Sequence, residues 1–244
     1  PRSGGVAARG PWSDSAATGD DLTWFILSAI VGHDESGARV AGERPIILTA
    51  AAGGATTALG FPPFDLPWLA PVGLAMLVLA LREASATRAA LLGAAHAAVF
   101  LGMTLWRLAE AISPFAWAAM VAAQSVWGAL AGVAMVRVRR LHGWQLWAAG
   151  VFTAAESARA AVPWGGVPWG RLGYSAVDAP WSAWVAVIGV AATGTVVALL
   201  GCLIASVVEH ATRRSLRGLV PAAAVVALVA VPVWDTEADW SALS

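Results

Sequence analysis

The chain has 244 residues, of which 59% are hydrophobic and 12% are charged, and its mean hydropathy is +0.70. Soluble domains carry roughly 25% charged residues, so this composition indicates an integral membrane protein. The formal net charge is zero, which argues against a nucleic-acid partner. All 15 basic residues are arginine, which excludes lysine chemistry, and the single cysteine, Cys202, excludes an internal disulfide.

Residues 1–44 are rich in Gly, Ala, Ser, Asp and Arg. Their one apolar stretch, residues 22–31, is too short to cross a hydrocarbon core of about 30 Å. We therefore predict a disordered or interfacial arm on the cytoplasmic side, ahead of the membrane domain.

The rest of the chain predicts an all-α fold, a polytopic bundle of about seven transmembrane helices in a membrane domain at 45–234. Short polar or Pro/Gly segments separate its apolar runs, and residues 235–244 form a short acidic tail. The predicted spans are 45–59, 66–81, 89–108, 114–136, 144–162, 184–208 and 219–234.

The arginines predict the orientation of these spans, because cytoplasmic loops carry an excess of basic residues. Clusters precede the first span and lie between spans two and three, four and five, and six and seven, all on one side of the membrane. The N-terminus is therefore predicted to be cytoplasmic and the C-terminus outside. The clustered residues are Arg39, Arg44, Arg82, Arg88, Arg137, Arg139, Arg140, Arg213, Arg214 and Arg217.

The segment 156–180 departs most from apolar helix. Glu156 and Arg159 lie three residues apart, on one helix face, and Pro and Gly residues follow that interrupt a helix. Ionisable residues inside a span are costly and often functional, so we predict a site here. The two side chains either neutralise each other or bind a headgroup phosphate. Arg171, beside Trp169 and Tyr174, suits a lipid headgroup and equally an interfacial anchoring belt.

Other polar residues are weaker candidates. Arg107 and Glu110 are interpreted as a solvated pair at a helix end, and His96 and Gln124 as interhelical hydrogen-bond partners rather than a site. The sequence has no metal-ligand spacing and no phosphate-binding Gly loop, and we predict neither a metal site nor a cofactor.

Two stretches resemble a known family. The first is Phe61-Pro62-Pro63-Phe64, followed by Trp68 and Pro71; the second is Glu156, Arg159, then Gly166-Val167-Pro168-Trp169 and Gly173-Tyr174. Together they resemble apolipoprotein N-acyltransferase over about residues 45–234, although Val167 replaces the usual Phe. The resemblance implies a multi-pass protein of the inner (cytoplasmic) membrane.

That family transfers an acyl chain from a phospholipid to the N-terminal diacylglyceryl-cysteine of a lipoprotein, so the implied partners are membrane phospholipid and lipoprotein. Its Glu, Lys and Cys catalytic residues belong to a nitrilase-like domain after the seventh span. Since this sequence lacks lysine, we expect a chain truncated before that domain, inactive by itself, with no catalytic residue among those present. Three explanations of the truncation are open: a broken reading frame, a fragment, or a split protein whose partner is a separate nitrilase-like chain.

The family resemblance implies two residue sets. A lipid- and substrate-facing rim comprises Glu156, Arg159, Pro168, Trp169, Arg171 and Tyr174. A structural motif comprises Phe61, Pro62, Pro63, Trp68, Gly166 and Gly173.

Two other functions are open. One is a non-catalytic membrane scaffold, the partner of a polyprenol-phosphate glycosyltransferase chain. The other is a small transporter, in which the Pro/Gly segment would line a pathway.

Overall fold

The structure is a computed structural model that describes residues 35–162, 165–177, 179 and 182–235. The chain divides into two units, Pro1–Arg44 and Pro45–Ser244. Of the first unit, the backbone of 35–44 is described, and it is helical. The apolar stretch predicted at 22–31 and the tail at 236–244 lie outside the described residues.

The described part of the chain consists of helices joined by turns and loops and contains no strand, which confirms the all-α prediction. Two short 3₁₀ helices, Leu172–Ala176 and Leu216–Gly218, flank the seventh α-helix. The α-helices are α1 (Glu35–Ala58), α2 (Leu69–Ala80), α3 (Ala86–Thr104), α4 (Arg107–Ala111), α5 (Pro114–Val138), α6 (Trp144–Arg159), α7 (Ala183–Thr212) and α8 (Leu219–Asp235).

Three of these helices, α3, α5 and α7, are long and apolar enough to cross a membrane by length and composition. Shorter apolar helices cover Ile46–Ala58, Leu69–Ala80 and Leu216–Ala230. The seven predicted apolar runs therefore all fall on helices. The number of spans and their orientation stay predictions.

Several helix ends differ from the predicted ones. Helix α1 begins at Glu35, before the predicted 45, and α3 ends at Thr104 rather than at 108. At Leu105 the backbone leaves helical geometry (φ −103°, ψ 15°), and the separate helix α4 follows. Helix α6 ends at Arg159 instead of 162. Apolar composition alone does not mark these ends, because a helix can continue into charged residues, as α1 does at 35–44, and can stop within an apolar run, as α6 does at Arg159.

Side-chain caps explain two helix starts. The Ser85 hydroxyl accepts from the amide of Arg88 at 3.4 Å and begins α3. The Ser113 hydroxyl accepts from the amide of Ala116 at 3.1 Å, and Pro114, in the first turn of α5, has no amide hydrogen to satisfy.

Helices α3 and α5 pack backbone to backbone. A Cβ atom at Gly93 would lie 2.1 Å from the carbonyl oxygen of Gly128, and one at Gly132 would lie 2.1 Å from that of Ala89. Only glycine permits such an approach, which maximises van der Waals contact between apolar helices where no hydrophobic force drives them together.

Helices α2 and α7 form the other main part of the core. Leu74, Val78, Val197 and Cys202 are almost fully buried where these helices meet. At the end of α5, Arg139 bonds Glu209 of α7 at 2.5 Å and the carbonyl of Val78 at 2.9 Å. Its guanidinium also stacks on the Trp144 ring at 4.5 Å. One partly buried arginine therefore ties together the ends of α2, α5 and α7 and the start of α6.

Candidate functional site

The segment 165–177, named here the motif loop, follows α6 and is held by Arg159, the last residue of that helix. One terminal nitrogen of its guanidinium donates to the carbonyl oxygens of Val167 at 3.0 Å and Trp169 at 2.5 Å. The other terminal nitrogen donates to Gly170 at 3.0 Å. Arg159 is only 5% exposed. Its charge therefore satisfies loop carbonyls that have no helical donor.

Glu156, one turn earlier on α6, holds the middle of the motif loop. One of its carboxylate oxygens accepts from the amide of Leu172 at 2.8 Å, where the 3₁₀ helix begins. Among the described residues, Glu156 and Arg159 are not joined by an ion pair within 4 Å. The two side chains instead bind neighbouring parts of the same loop.

Two glycines of the motif make this arrangement sterically possible. Gly166 has a φ of +68°, and a Cβ there would lie 2.2 Å from the carbonyl carbon of Ala160. At Gly173 a Cβ would lie 2.0 Å from the carbonyl oxygen of Val190 in α7. The loop backbone thus rests directly on the end of α6 and on α7, and a side chain at either position would displace it.

The other predicted rim residues lie on the exposed face of the motif loop. Trp169 is 53% exposed and Tyr174 41% exposed, and Pro168 is also exposed. Arg171 is half-buried, and its Nε is a buried donor that has no hydrogen-bond partner among the described residues. The predicted rim therefore divides into two supporting residues, Glu156 and Arg159, and four residues that present a surface.

Residues 61–68, named here the proline turn, join α1 to α2. Phe61 is 3% exposed and packs on Phe100 of α3, with ring centroids 5.3 Å apart. Pro62, Pro63 and Trp68 are exposed, and the Pro62–Pro63 peptide is cis.

Phe100 connects the two motif stretches. A Cβ at Gly170 of the motif loop would lie 3.6 Å from the Phe100 ring, in ordinary van der Waals contact. Val167 packs against the same apolar cluster that contains Phe61 and Phe100. The structure thus brings together two stretches that the sequence separates by about a hundred residues.

Beneath the motif loop lies a cavity of about 80 Å³. Its lining is mainly apolar, but His96, Gln124, Glu156 and Arg159 also line it. Neither His96 Nδ1 nor Gln124 Oε1 has a hydrogen-bond partner among the described residues. His96 and Gln124, predicted as interhelical partners, therefore line one cavity with these two atoms unpaired.

The polar side chains of the motif loop and of the cavity are suited to binding and positioning a ligand. Cys202, the single cysteine, is fully buried in α7, where a thiol is inert. Within the described residues no three His, Cys, Asp or Glu side chains gather as metal ligands would. Arg107 stacks on Trp106 at 5.0 Å, and the described part of the chain shows no ion pair between Arg107 and Glu110.

Sequence patterns had not indicated the hydrogen bonds of Arg159, the position of Phe100 or the cavity. The sequence does contain a signal for the hydrogen bonds of Arg159. Gly166, Pro168 and Gly170 keep the loop out of a helix, which leaves carbonyls that need donors, and an arginine at the preceding helix end can supply several. Phe100 lies in an ordinary apolar run, and periodicity alone does not distinguish it from its neighbours.

Three helices that are long and apolar enough to cross a membrane, together with the shorter apolar ones, define a helical membrane protein. Residues 53–203, more than half of the chain, match the family described as apolipoprotein N-acyltransferase N-terminal domain. The chain belongs to this family, and the match includes the proline turn and the motif loop. The predicted family is therefore confirmed.

Proposed function

We propose that this chain is the membrane region of an apolipoprotein N-acyltransferase, and that the motif loop is a rim for the lipid substrates of acyl transfer. The observation that carries the proposal is the family match over 53–203, which contains the motif loop. The hydrogen bonds of Glu156 and Arg159 support it, since they give the loop a defined shape.

In the proposed topology α1, α2, α3, α5, α6, α7 and α8 are seven spans of the inner membrane. The N-terminal arm, 1–44, is cytoplasmic and the tail, 235–244, is outside, with the membrane domain between them. The arginine clusters support this orientation. The proline turn and the motif loop then both lie at the outer surface, consistent with their shared contact to Phe100.

Within this rim Arg171 binds the phosphate of the phospholipid acyl donor. Arg159 already donates to three carbonyls, whereas the Nε of Arg171 has no partner among the described residues, and Arg171 lies between the exposed Trp169 and Tyr174 in the sequence. A guanidinium matches phosphate geometry, and Trp169 and Tyr174 suit the depth of lipid headgroups. Pro168 and Trp169 accommodate the acyl chain or the lipoprotein substrate.

The acyl transfer itself requires groups outside these residues. A Glu, Lys and Cys set is not contained in a sequence without lysine. We propose that a nitrilase-like domain supplies it, either as a further part of the protein or as a partner chain. In the alternative function the partner is a glycosyltransferase, and the membrane helices act as its scaffold.

The test is a chimera in which residues 45–234 carry the nitrilase-like domain of an active relative. Acylation of a lipoprotein is measured by mass spectrometry, with phospholipid as the donor. Arg171→Gln is expected to reduce the rate about 10-fold or more, since a hydrogen bond to a charged group contributes roughly 1.5–3 kcal/mol. Arg107→Gln is the matched control, because Arg107 stacks on an exposed Trp106 outside the motif loop.

Equal acylation rates for Arg171→Gln and Arg107→Gln would show that Arg171 does not bind the phosphate. A chimera that folds but never acylates would contradict the acyltransferase function. In that case recovery of a glycosyltransferase with the intact chain would favour the scaffold, and substrate flux in proteoliposomes would favour a transporter.

A further inference from the structure

The cavity beneath the motif loop presents two unpaired polar atoms from neighbouring helices. His96, on α3, is 5% exposed and Gln124, on α5, is 4% exposed. His96 Nδ1 and Gln124 Oε1 both lack a hydrogen-bond partner among the described residues. Both side chains line the same cavity. Two buried polar groups without partners that line one cavity indicate a shared ligand, because a buried polar group without a partner is strongly destabilising.

The chemistry of the two atoms defines what that ligand must offer. A neutral imidazole carries its proton on one ring nitrogen, and with that proton on Nε2 the unpaired Nδ1 can only accept a hydrogen bond. Nδ1 is then an acceptor, as is Gln124 Oε1. The ligand must be a hydrogen-bond donor, ideally with two hydrogens.

The size and lining of the cavity restrict the ligand further. About 80 Å³ exceeds the roughly 10–15 Å³ that one water molecule requires. The lining is mainly apolar, and its two charged residues, Glu156 and Arg159, already bond the backbone of the motif loop. A longer lipid tail would fill the apolar part but would leave both acceptors unpaired.

We propose that this cavity binds structural water, which donates hydrogen bonds to His96 Nδ1 and Gln124 Oε1. The site is internal to the membrane domain and is distinct from the exposed face of the motif loop. The water links α3 and α5 through one polar network, from His96 Nδ1 to Gln124 Oε1. The proposal does not depend on acyl transfer by this protein.

The first experiment measures access of water to the cavity. In a Cys202→Ala background, the chain carries a single new cysteine, either Ala97→Cys or Ala98→Cys. Both positions lie next to each other on α3, but Ala97 lines the cavity and Ala98 lines a surface groove with Phe64 and Trp106. After transfer of bilayer-reconstituted protein to D₂O, infrared spectroscopy follows the S–H band as it converts to S–D.

Faster exchange at position 97 than at position 98 is expected, because structural water would contact the cavity thiol while lipid surrounds the other. Equal exchange, or slower exchange at position 97, would overturn the proposal. A bound lipid in the cavity would give that same slow exchange and would be found by mass spectrometry of the extracted protein.

A second variant, at Gln124, tests the proposal even if a cysteine at position 97 disturbs the packing. Gln124→Met keeps the side-chain length and removes both polar atoms. If the cavity holds water, the substitution breaks bonds to it, and the Tm in nanodiscs falls by roughly 2–4 °C for a loss near 1 kcal/mol. If the cavity is dry, the substitution removes an unpaired group, and a rise in Tm would contradict the proposal.

Discussion

At the scale of single residues, Arg159 shows how a buried charge can serve the backbone. Carbonyl groups that face a buried side chain cannot rely on water, so each needs a donor from the protein. The guanidinium donates to three carbonyls of the motif loop. Lysine has a single ammonium centre and cannot reproduce this planar fork of donors.

We expect Arg159→Leu to destabilise the motif loop by about 3–5 kcal/mol, because three loop carbonyls lose their donor and Glu156 loses a nearby compensating charge. Limited proteolysis of reconstituted protein would show faster cleavage within 165–177. Arg159→Lys should recover only part of the stability. Arg107→Leu, an exposed control, should leave cleavage of the loop unchanged; comparable cleavage in both leucine variants would refute this role.

The sequence placed Glu156 and Arg159 on one helix face and marked them as important, but it left their partners open. An ion pair, a headgroup contact and a loop clamp use the same residue types at the same spacing. Only the path of 165–177, which returns over the end of α6, decides among them.

At the scale of helices, the contact between α3 and α5 depends on glycine, which carries only a hydrogen atom where other residues carry a Cβ. Gly93→Ala would place a methyl group 2.1 Å from the carbonyl oxygen of Gly128. We expect a loss of about 1–3 kcal/mol, since overpacking forces the two backbones apart. The measurement is thermal unfolding in detergent or nanodiscs.

Gly102→Ala is the matched control on the same helix. Its new methyl group would meet only the Trp117 ring, at 3.6 Å, which is ordinary contact. Because alanine favours helix by about 1 kcal/mol over glycine, this control should be neutral or stabilising. If Gly93→Ala and Gly102→Ala changed the stability by the same amount in the same direction, the proposed dependence on close approach of the two helices would be contradicted.

Helix α7 is interrupted at Gly189, where φ is +76° and ψ is 168°. This backbone region is available essentially to glycine only. Gly189→Ala meets no atom within 4 Å, so its effect comes from the backbone alone. We expect the break to straighten, or the protein to lose about 1–3 kcal/mol.

Spin labels on either side of the break would report straightening as a changed distance distribution. Gly150→Ala in α6 is the control, since that glycine also has no atom within 4 Å of a new Cβ but has helical geometry. The control should gain stability. If Gly189→Ala gained as much with no change in distance, the break would not be a built-in feature of α7.

At the scale of the whole molecule, the proposed topology has seven spans and places the ends on opposite sides of the membrane. Fusions to alkaline phosphatase, which is active only outside the cytoplasm, would test it. We expect high activity after residue 234 and low activity after residues 83 and 141, because the loops at these two positions carry the arginine clusters. The opposite pattern, or activity on one side only, would reject either the orientation or the number of spans.

The sequence by itself determined the class of the protein. A high apolar fraction with few charges requires helices that satisfy their own backbone, and Pro, Gly and Arg clusters divide the apolar runs. The start of α5 was also predicted correctly at Pro114, because a proline in the first turn is a local signal in the sequence. The family was also readable locally, from the spacing of Glu156, Arg159 and the Gly-Pro-Trp segment.

The tertiary structure alone decided which residues meet. Phe100 joins the proline turn to the motif loop, Arg139 reaches Glu209, and His96 and Gln124 line one cavity. No local pattern encodes these contacts, because each depends on the crossing of helices distant in sequence. In apolar helices nearly every face is apolar, so periodicity does not say which face packs inward, and the close approach at glycine contacts makes that choice.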